Sequence, residues 1–352
     1  MENTKIDFTG QTLYIGIDVH KTQWSLAVYW SGGKLKNTVT GSSPEEVNSF
    51  LRRNYPGAEY HSVYEAGFSG FSAHRRLNEL GIKNIVINPA DVPTNHKERI
   101  TKNDRNDANK LAVNLMKGNL KAIYVLDRRA EAIRTLCRDR YTLTGDITRE
   151  KNRIKTFLNF KGIKMADGDK WSCKFIARLK QMSFEYKQEK QVLSRHIEKL
   201  EDLLRKRREV EKEIEEAIKE GGNEALLNRL RKSVPGIGKI TAYYLMCEIV
   251  EMKRFKNIET LSAFVGLIPI MKESGEKKKK SGITGRKNKY LRYYLIEAAW
   301  IAVRRDPAMS AYYMKLCKRM KKTRAIVSVA RKLLNRVRHI WLKEEDYQEG
   351  IK

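Results

Sequence analysis

Alternating apolar and polar positions predict three short strands near the start of the chain. Every second residue from Leu13 to Val19 is apolar, and Asp18 falls on the opposite, less apolar face with Gly16. Residues 24–30 and 35–40 predict two more strands, and Ser31-Gly-Gly33 predicts the turn between them.

Helix and strand signals then alternate up to about residue 116. Ser43 is a predicted N-cap, Pro44 the first helical position, and Glu46 the residue that closes a capping box. The pattern continues with strands over 61–65 and 84–88 and with helices over 71–80, before Gly81, and over 102–116. By analogy of element order, the fold class expected for this part is an α/β RNase H/RuvC-like domain.

A different pattern follows from about Glu131, where the predicted helices are long and charged. A helix is expected over 133–160, and Gly221-Gly222 ends the segment. Apolar residues there repeat at spacings of four and three, namely Leu193, Ile197, Leu200 and Leu204. This spacing is typical of a coiled-coil seam, which would lie either between two chains or within a hairpin of one chain.

The remaining residues, from about Leu227, predict a mostly α-helical C-terminal domain. Apolar, basic helices are expected around 291–303 and 325–341. We therefore divide the chain into an RNase H/RuvC-like part, 1–125, a helical coiled-coil region, 126–226, and a helical domain, 227–352.

The chain is strongly basic, with 71 Lys and Arg against 42 Asp and Glu and a formal net charge of +29. Such an excess indicates a polyanionic partner, since each neutralised phosphate releases a counterion. A generally basic surface, as in a ribosomal-type protein, would give the same composition.

Other features of the sequence indicate where in the cell the protein is expected. No stretch approaches the roughly 20 apolar residues of a membrane span, and residues 1–5 lack the apolar run of a signal peptide. The four cysteines, Cys137, Cys173, Cys247 and Cys317, are far apart, which favours reduced thiols over a zinc site or disulfides. We expect a cytoplasmic, nucleoid-associated protein without a membrane partner.

Four carboxylates are the candidate catalytic residues. Asp18 lies in a predicted strand, where β-propensity disfavours aspartate, and Glu65 ends another strand. Asp104 and Asp107 are three residues apart on one helix, whose apolar stripe continues from Ala108, so both are expected to face the sheet. Mg²⁺ or Mn²⁺ would compensate these charges, since hard cations bound by carboxylates support phosphodiester chemistry.

Each carboxylate also has a purely structural interpretation. Asp18 could pair with His20 or Lys21, and Glu65 could be a surface residue at a strand end. Asp104 could cap its helix, with Asp107 in the first turn. The order strand-Asp, strand-Glu, helix-Asp-x-x-Asp is harder to obtain by accident than any one of these.

Three segments carry a resemblance to a known family. Residues 16–21 (GIDVHK), 64–67 (YEAG) and 102–108 (KNDRNDA) resemble motifs of the DEDD transposases of the IS110 insertion-sequence family. The resemblance implies a RuvC-like domain, related to Holliday-junction resolvases. It also carries Asp18, Glu65, Asp104 and Asp107 onto the four metal-binding positions.

Two C-terminal segments are candidate nucleic-acid contacts. Pro235-Gly236-Ile-Gly238-Lys239 resembles the turn of a helix-hairpin-helix, in which Gly236, Gly238 and Lys239 would face a phosphate, although a simple helix–helix turn has the same pattern. Residues 271–292 are rich in Lys, Arg and Gly and predict a loop on nucleic-acid backbone, or a disordered basic loop. Its proposed contacts are Lys277, Lys278, Lys279, Lys280, Arg286, Lys287 and Arg292.

The same basic region resembles the second domain of the family, through 266–269 (GLIP), Ser274-Gly275 and 288–292 (NKYLR). Family members use a serine there as a nucleophile that forms a phosphoserine link to DNA. Ser274 is the best match and Ser281 the second. Without the resemblance, Ser274 would be interpreted as an ordinary loop serine.

The resemblance therefore implies a DNA transposase that excises and inserts a mobile element by strand cleavage and exchange. It also implies a guide RNA encoded by the element, and a homodimer or tetramer, since exchange holds two DNA sites together. Two alternatives are a RuvC-type endonuclease that only hydrolyses DNA and a non-catalytic nucleic-acid-binding protein.

Overall fold

The chain forms two units in a computed structural model, Met1–Val125 and Leu126–Lys352. The structure describes residues 7–93, 104–165, 171–274, 277–283 and 287–348. None of the helices within these ranges has the length and apolar composition that crossing a membrane requires.

A five-stranded mixed sheet forms the centre of the first unit. Its strands lie in the order β3-β2-β1-β4-β5; β1, β2 and β3 pair antiparallel, whereas β1 pairs parallel with β4 and β4 with β5. The elements are β1 (Thr12–Val19), β2 (Gln23–Trp30), β3 (Gly33–Gly41), α1 (Pro44–Asn54), β4 (Glu59–Glu65), α2 (Ser72–Glu79), β5 (Lys83–Ile87) and α3 (Asp104–Met116). This mixed sheet with helices is consistent with the expected RNase H-like domain.

The two faces of the sheet follow the alternation in the sequence. Leu13, Ile15 and Ile17 are fully buried with residues of α1 and α2, including Leu51 and Leu77. Ser43 accepts a hydrogen bond from the backbone N–H of Glu46 and so caps α1, as predicted.

The opposite face of the sheet packs against α3. Ala27 of β2 is buried together with Ala108 and Ala112 of α3. Next to this contact, Leu111 of the same helix face packs with Val63 of β4. The predicted apolar stripe of this helix is therefore confirmed.

The second unit is mostly helical, as expected. Its elements are α4 (Arg128–Phe160), α5 (Cys173–Gln181), α6 (Lys187–Glu220), α7 (Glu224–Ser233), α8 (Lys239–Ile249), α9 (Ile258–Val265), β6 (Pro269–Ser274), β7 (Lys277–Ile283), α10 (Lys289–Arg305), α11 (Pro307–Cys317) and α12 (Lys322–Lys343). The boundary predicted near residue 226 lies inside this unit and stays a prediction.

The two longest helices, α4 and α6, form an antiparallel hairpin. Arg140 pairs with Glu211, and nearer the tip of the hairpin Glu150 accepts from His196 at 2.6 Å. Burial is the largest single influence on the pKa of Glu150 and disfavours its charge. The hydrogen bonds from His196 and Arg153 and the charges of Lys199 and His196 together outweigh it and hold the pKa below the ordinary value.

The predicted seam lies inside this hairpin. Leu193, Ile197 and Leu200 are buried against Ile154 and Leu158 of α4. Leu204 is only partly buried. The seam is thus satisfied within one chain, which favours the hairpin over contact between two chains.

The core of the C-terminal part surrounds α8. Residues Thr241–Ile249 of this helix are all buried, as expected for a helix that is apolar on all sides. Tyr244 of α8 stacks on Tyr294 of α10 with 4.3 Å between ring centroids, and its hydroxyl donates to the Cys137 carbonyl of α4. The base of the α4–α6 hairpin therefore belongs to the same core as the C-terminal helices.

We predict that Leu200→Ala lowers the free energy of unfolding of the second unit by about 2–4 kcal/mol, because it opens a cavity in the hairpin. Leu204→Ala is the matched control and should cost clearly less. Chemical denaturation at several protein concentrations measures both. A loss for Leu200→Ala that grows on dilution would contradict a seam within one chain.

Candidate active site and nucleic-acid interface

The register of β1 and β4 brings two of the four candidate carboxylates side by side. The parallel pairing runs to Ile17 opposite Tyr64, and the next residues in the two strands are Asp18 and Glu65. Both continue the face that carries Gly16 and Val63, which is the face covered by α3. The C-terminal ends of two neighbouring inner strands thus both carry a carboxylate.

Helix α3 is held against that face by an unusually close backbone contact. A Cβ atom on Gly16 would lie 2.0 Å from the Ala108 carbonyl oxygen and 2.6 Å from the Ala112 nitrogen. Only glycine permits this approach. Asp107 directly precedes Ala108, so the contact positions the helix that carries the third and fourth carboxylates.

The aspartates of α3 are described to different extents. Asp107 is half-buried beside the buried Ala108. Asp104 is the first residue of the helix, but its side chain lies outside the described residues.

Asp18 has a direct partner in this structure. His20 Nε2 lies 3.0 Å from Asp18 Oδ2, which realises the pairing that the sequence left open. A hydrogen bond of this kind also orients a carboxylate that binds a metal, since such ligands are usually bonded by a second group.

The described side chains do not by themselves complete a metal centre. Within the described ranges, no three His, Cys, Asp or Glu side chains converge closely enough to hold a metal ion. The oxygen donors of Asp18, Glu65 and Asp107 nevertheless suit Mg²⁺ or Mn²⁺ chemically, and these ions prefer carboxylate oxygen.

The predicted glycine turn joins α7 to α8. Gly236 has φ +85° and lies so close to α10 that a Cβ would be 2.2 Å from the Ala298 carbonyl oxygen. Gly238 is the N-cap residue of α8, and Lys239 pairs with Glu215 at 2.6 Å. Helix packing therefore accounts for Gly236, and its contact with a phosphate stays a prediction.

The predicted basic loop is a β-hairpin in the structure, which corrects the loop assignment. β6 and β7 pair antiparallel, with Ser274 opposite Lys277, Glu273 opposite Lys278 and Lys272 opposite Lys279. Backbone pairing between the two segments organises a sequence whose lysines and glycines favour no strand by themselves. Ser281 falls in β7.

Several proposed contacts in this region lie beyond the described residues. Arg286 is among them, as are the side chains of Ser274, Ser281 and Lys277 to Lys280. Lys287 is exposed, and partial burial lowers the pKa of Arg292 from its ordinary value. The nucleophile and the basic contacts therefore stay predictions.

A polar cluster around the buried Glu248, which the sequence analysis missed, lies at the start of α10. Asn288 caps this helix by accepting from the backbone N–H groups of Tyr290 and Leu291. Its amide donates to Glu248 Oε2 at 2.8 Å, and Glu248 also accepts two hydrogen bonds from Arg138. No short motif could reveal this cluster, because its members come from α4, α8 and α10.

The mixed sheet, the carboxylates at the ends of β1 and β4 and the close contact with α3 are consistent with the class of DEDD-type RNase H-like proteins. Family models agree: residues 15–162 match the IS110-type DEDD transposase domain. Residues 228–314 match the transposase family IS116/IS110/IS902. The chain belongs to the IS110 family of transposases.

Curated relatives cover most of the chain. The transposase for insertion sequence element IS1111A of Coxiella burnetii is 27% identical over 340 residues, 96% of this chain and 91% of the relative. The putative transposase y4qE of Sinorhizobium fredii is 27% identical over 292 residues, 82% and 71% of the two chains. The transposase for IS1533 of Leptospira borgpetersenii is 27% identical over 252 residues, 70% and 72% of the two chains.

We predict that Gly16→Ala lowers the free energy of unfolding of the first unit by about 1–3 kcal/mol, because its methyl group overlaps the backbone of α3. Gly67→Ala is the matched control, since a Cβ there would meet its nearest neighbour at 3.8 Å. Denaturant titration compares the two variants. Equal stability of both would contradict the close contact.

Proposed function

We propose that this transposase cuts and joins DNA at the ends of its insertion sequence, with Ser274 as nucleophile. Asp18, Glu65, Asp104 and Asp107 would form its metal-binding carboxylate set. The observation that carries the proposal is the register that brings Asp18 and Glu65 level on adjacent parallel strands. The packing of α3 on the same face adds support, because Asp104 and Asp107 belong to that helix.

The four carboxylates would hold Mg²⁺ or Mn²⁺. When bound, such cations stabilise the attacking and leaving oxygens of an in-line displacement at phosphorus. His20 would orient Asp18 through the 3.0 Å contact, and so keep one carboxylate oxygen directed at the metal.

For strand exchange, attack on phosphorus by a serine is better suited than attack by water. Ser274 Oγ would lose its proton and attack phosphorus while the bond from phosphorus to the leaving deoxyribose oxygen breaks, and the net result is transfer of that proton to the leaving oxygen. The hydroxyl of a second strand then attacks the phosphoserine and releases the serine. One phosphodiester is exchanged for another, whereas hydrolysis would lose the bond that rejoining requires.

The position of Ser274 supports its assignment. It ends β6 opposite Lys277, in a hairpin whose second strand begins with four lysines. Positive charge at such a place would attract the phosphate backbone to the serine.

The proposal includes two partners beyond DNA. Strand exchange brings two DNA sites together, so we propose a homodimer or tetramer. We also propose a guide RNA encoded by the element. The net charge of +29 would allow the protein to bind the phosphates of RNA and DNA at the same time.

Asp18→Asn and Ser274→Ala test the chemistry side by side, with DNA that carries the element ends and with Mg²⁺. We expect Asp18→Asn to lower strand cleavage about 100-fold or more, because metal stabilisation is worth several kcal/mol. Ser274→Ala should abolish both cleavage and the covalent protein–DNA adduct seen on denaturing gels.

Ser281→Ala is the matched control and should keep the adduct. Adducts formed by Ser274→Ala but lost in Ser281→Ala would move the nucleophile to Ser281. Cleavage by Ser274→Ala at the wild-type rate, with no covalent adduct in any variant or in wild type, would identify a purely hydrolytic nuclease. A wild-type protein that never cleaves with Mg²⁺ would leave only nucleic-acid binding.

The RNA partner is tested by purification from cells that carry the whole element. We expect one discrete RNA, encoded by the element, to be enriched when the bound nucleic acid is sequenced. Cells that express only the coding sequence are the control and should give no such enrichment. Equal, heterogeneous RNA from both preparations would contradict a dedicated guide.

A further inference from the structure

The charged side chains of the last two helices, α11 and α12, are all positive. Residues 307–343, which include α11 and α12, contain 11 Lys and Arg and no Asp or Glu. Concentrating like charges destabilises the compact state by repulsion unless a counter-charge is present. The segment is therefore expected to have anionic partners. The structure shows which of its cations interact with other groups of the same chain.

Cations along the body of α12 have partners within the protein. Arg331 pairs with Glu259 at 3.0 Å, and Arg338 donates to the Lys256 carbonyl at 3.4 Å. Lys332 lies over the Tyr312 ring at 4.5 Å, and Arg336 over the Tyr347 ring at 5.4 Å. These side chains help to fix α12 to its neighbours.

The turn between α11 and α12 is different. We call its five cations the turn patch: Lys318, Arg319, Lys321, Lys322 and Arg324. All five are exposed. In the part of the chain that the structure describes, no acidic group lies within ion-pair distance of any of them.

Buried residues on both sides hold the turn patch in place. Leu316 at the end of α11 and Ala325 and Ile326 in the first turn of α12 all belong to the core. At its other end, α11 is fixed by the buried Asp306, which accepts from the Ala308 N–H at 2.8 Å. The cations thus project from a backbone of defined shape.

The beginning of α12 adds to the positive potential. Lys321 is its N-cap residue and provides no side-chain hydrogen bond, and the first turn contains no acidic residue. The backbone N–H groups of the first helical turn carry a partial positive charge, which adds to the positive charge of the five side chains.

The composition of the turn patch favours a double-stranded ligand. Proteins that bind single strands combine cations with aromatic platforms on which bases stack. Residues 318–324 contain no aromatic side chain. A turn with cations and no stacking platform suits contact with phosphates alone, which a duplex presents on its outside while its bases stay stacked inside.

We propose that the turn patch is a docking surface for the phosphate backbone of duplex DNA. This inference rests on the proposed transposase function, which supplies the DNA, and extends it to residues that belong neither to the serine hairpin nor to the carboxylate set. The contact is with phosphates, so it contributes affinity for any duplex and leaves sequence choice to other parts of the complex.

A pair of charge-matched variants tests the surface in the full-length protein. The patch variant carries Lys318→Gln, Arg319→Gln, Lys321→Gln and Lys322→Gln. The control variant carries Lys174→Gln, Lys187→Gln, Arg195→Gln and Arg208→Gln, four exposed cations on α5 and α6. Both lose four positive charges, so any difference between them reports position and not net charge.

Binding of a duplex with the element ends is measured from about 50 to about 200 mM salt. The slope of log affinity against log salt should fall by about two to four units in the patch variant, because each phosphate contact contributes about 0.9. Affinity near 0.1 M salt should fall about 10-fold or more. The control variant should keep the wild-type slope and lose less than about threefold.

Cleavage at saturating DNA should be the same in the patch variant as in wild type, since the patch is not part of the catalytic machinery. Thermal unfolding confirms that both variants fold, and exposed substitutions should change stability little. Equal losses in the two variants would overturn the proposal. So would a patch variant that loses affinity for a single strand while its duplex affinity is kept.

Failure of the further inference and failure of the proposed function give different results. If wild type binds and cleaves the element DNA but the patch variant binds it equally well, only the docking surface is wrong. If wild type shows no salt-dependent binding of duplex DNA, the transposase proposal itself fails, and the docking surface fails with it.

Discussion

The contact between Gly16 of β1 and the backbone of α3 is the constraint on which the candidate active site depends. It brings the helix to a distance that any Cβ atom at position 16 would prevent. Ala27, Ala108 and Ala112 complete the contact with small side chains. This contact fixes the distance of α3 by steric fit, and Leu111 adds buried apolar packing with Val63 of β4.

The same device occurs in the second unit. Gly236 allows the turn before α8 to approach the Ala298 carbonyl of α10, and the buried Glu248 then links α8 to Asn288 and Arg138. A buried carboxylate needs such partners, since desolvation penalises its charge. The start of α10 is thereby tied to α4.

The net charge of the protein is distributed unevenly over its helices. On α6, cations such as Arg205 and Lys206 have acidic neighbours one turn away, as in the pair between Arg205 and Glu209. Among the residues that the structure describes, the turn between α11 and α12 has no such neighbours. The total of +29 favours a polyanionic partner without locating it, whereas the pairing of individual side chains shows which cations already have an acidic partner within the described residues.

Local patterns predicted much of the fold correctly. The strands of the first unit, the cap at Ser43 and the stripe of Ala108 and Leu111 are encoded within a few residues, so periodicity and capping chemistry reveal them. The prediction of a basic loop was wrong, because the pairing of β6 with β7 depends on contact between two segments and not on the propensity of either.

For this protein, the sequence by itself determined which face of each strand and helix is apolar and where cations accumulate, since both follow from the order of side chains alone. Only the tertiary structure decided that Asp18 and Glu65, 47 positions apart, stand level on neighbouring strands. It also decided that Leu193, Ile197 and Leu200 are buried within one chain. The physical reason is that strand register and helix partners depend on the close packing of distant segments, which no local pattern contains.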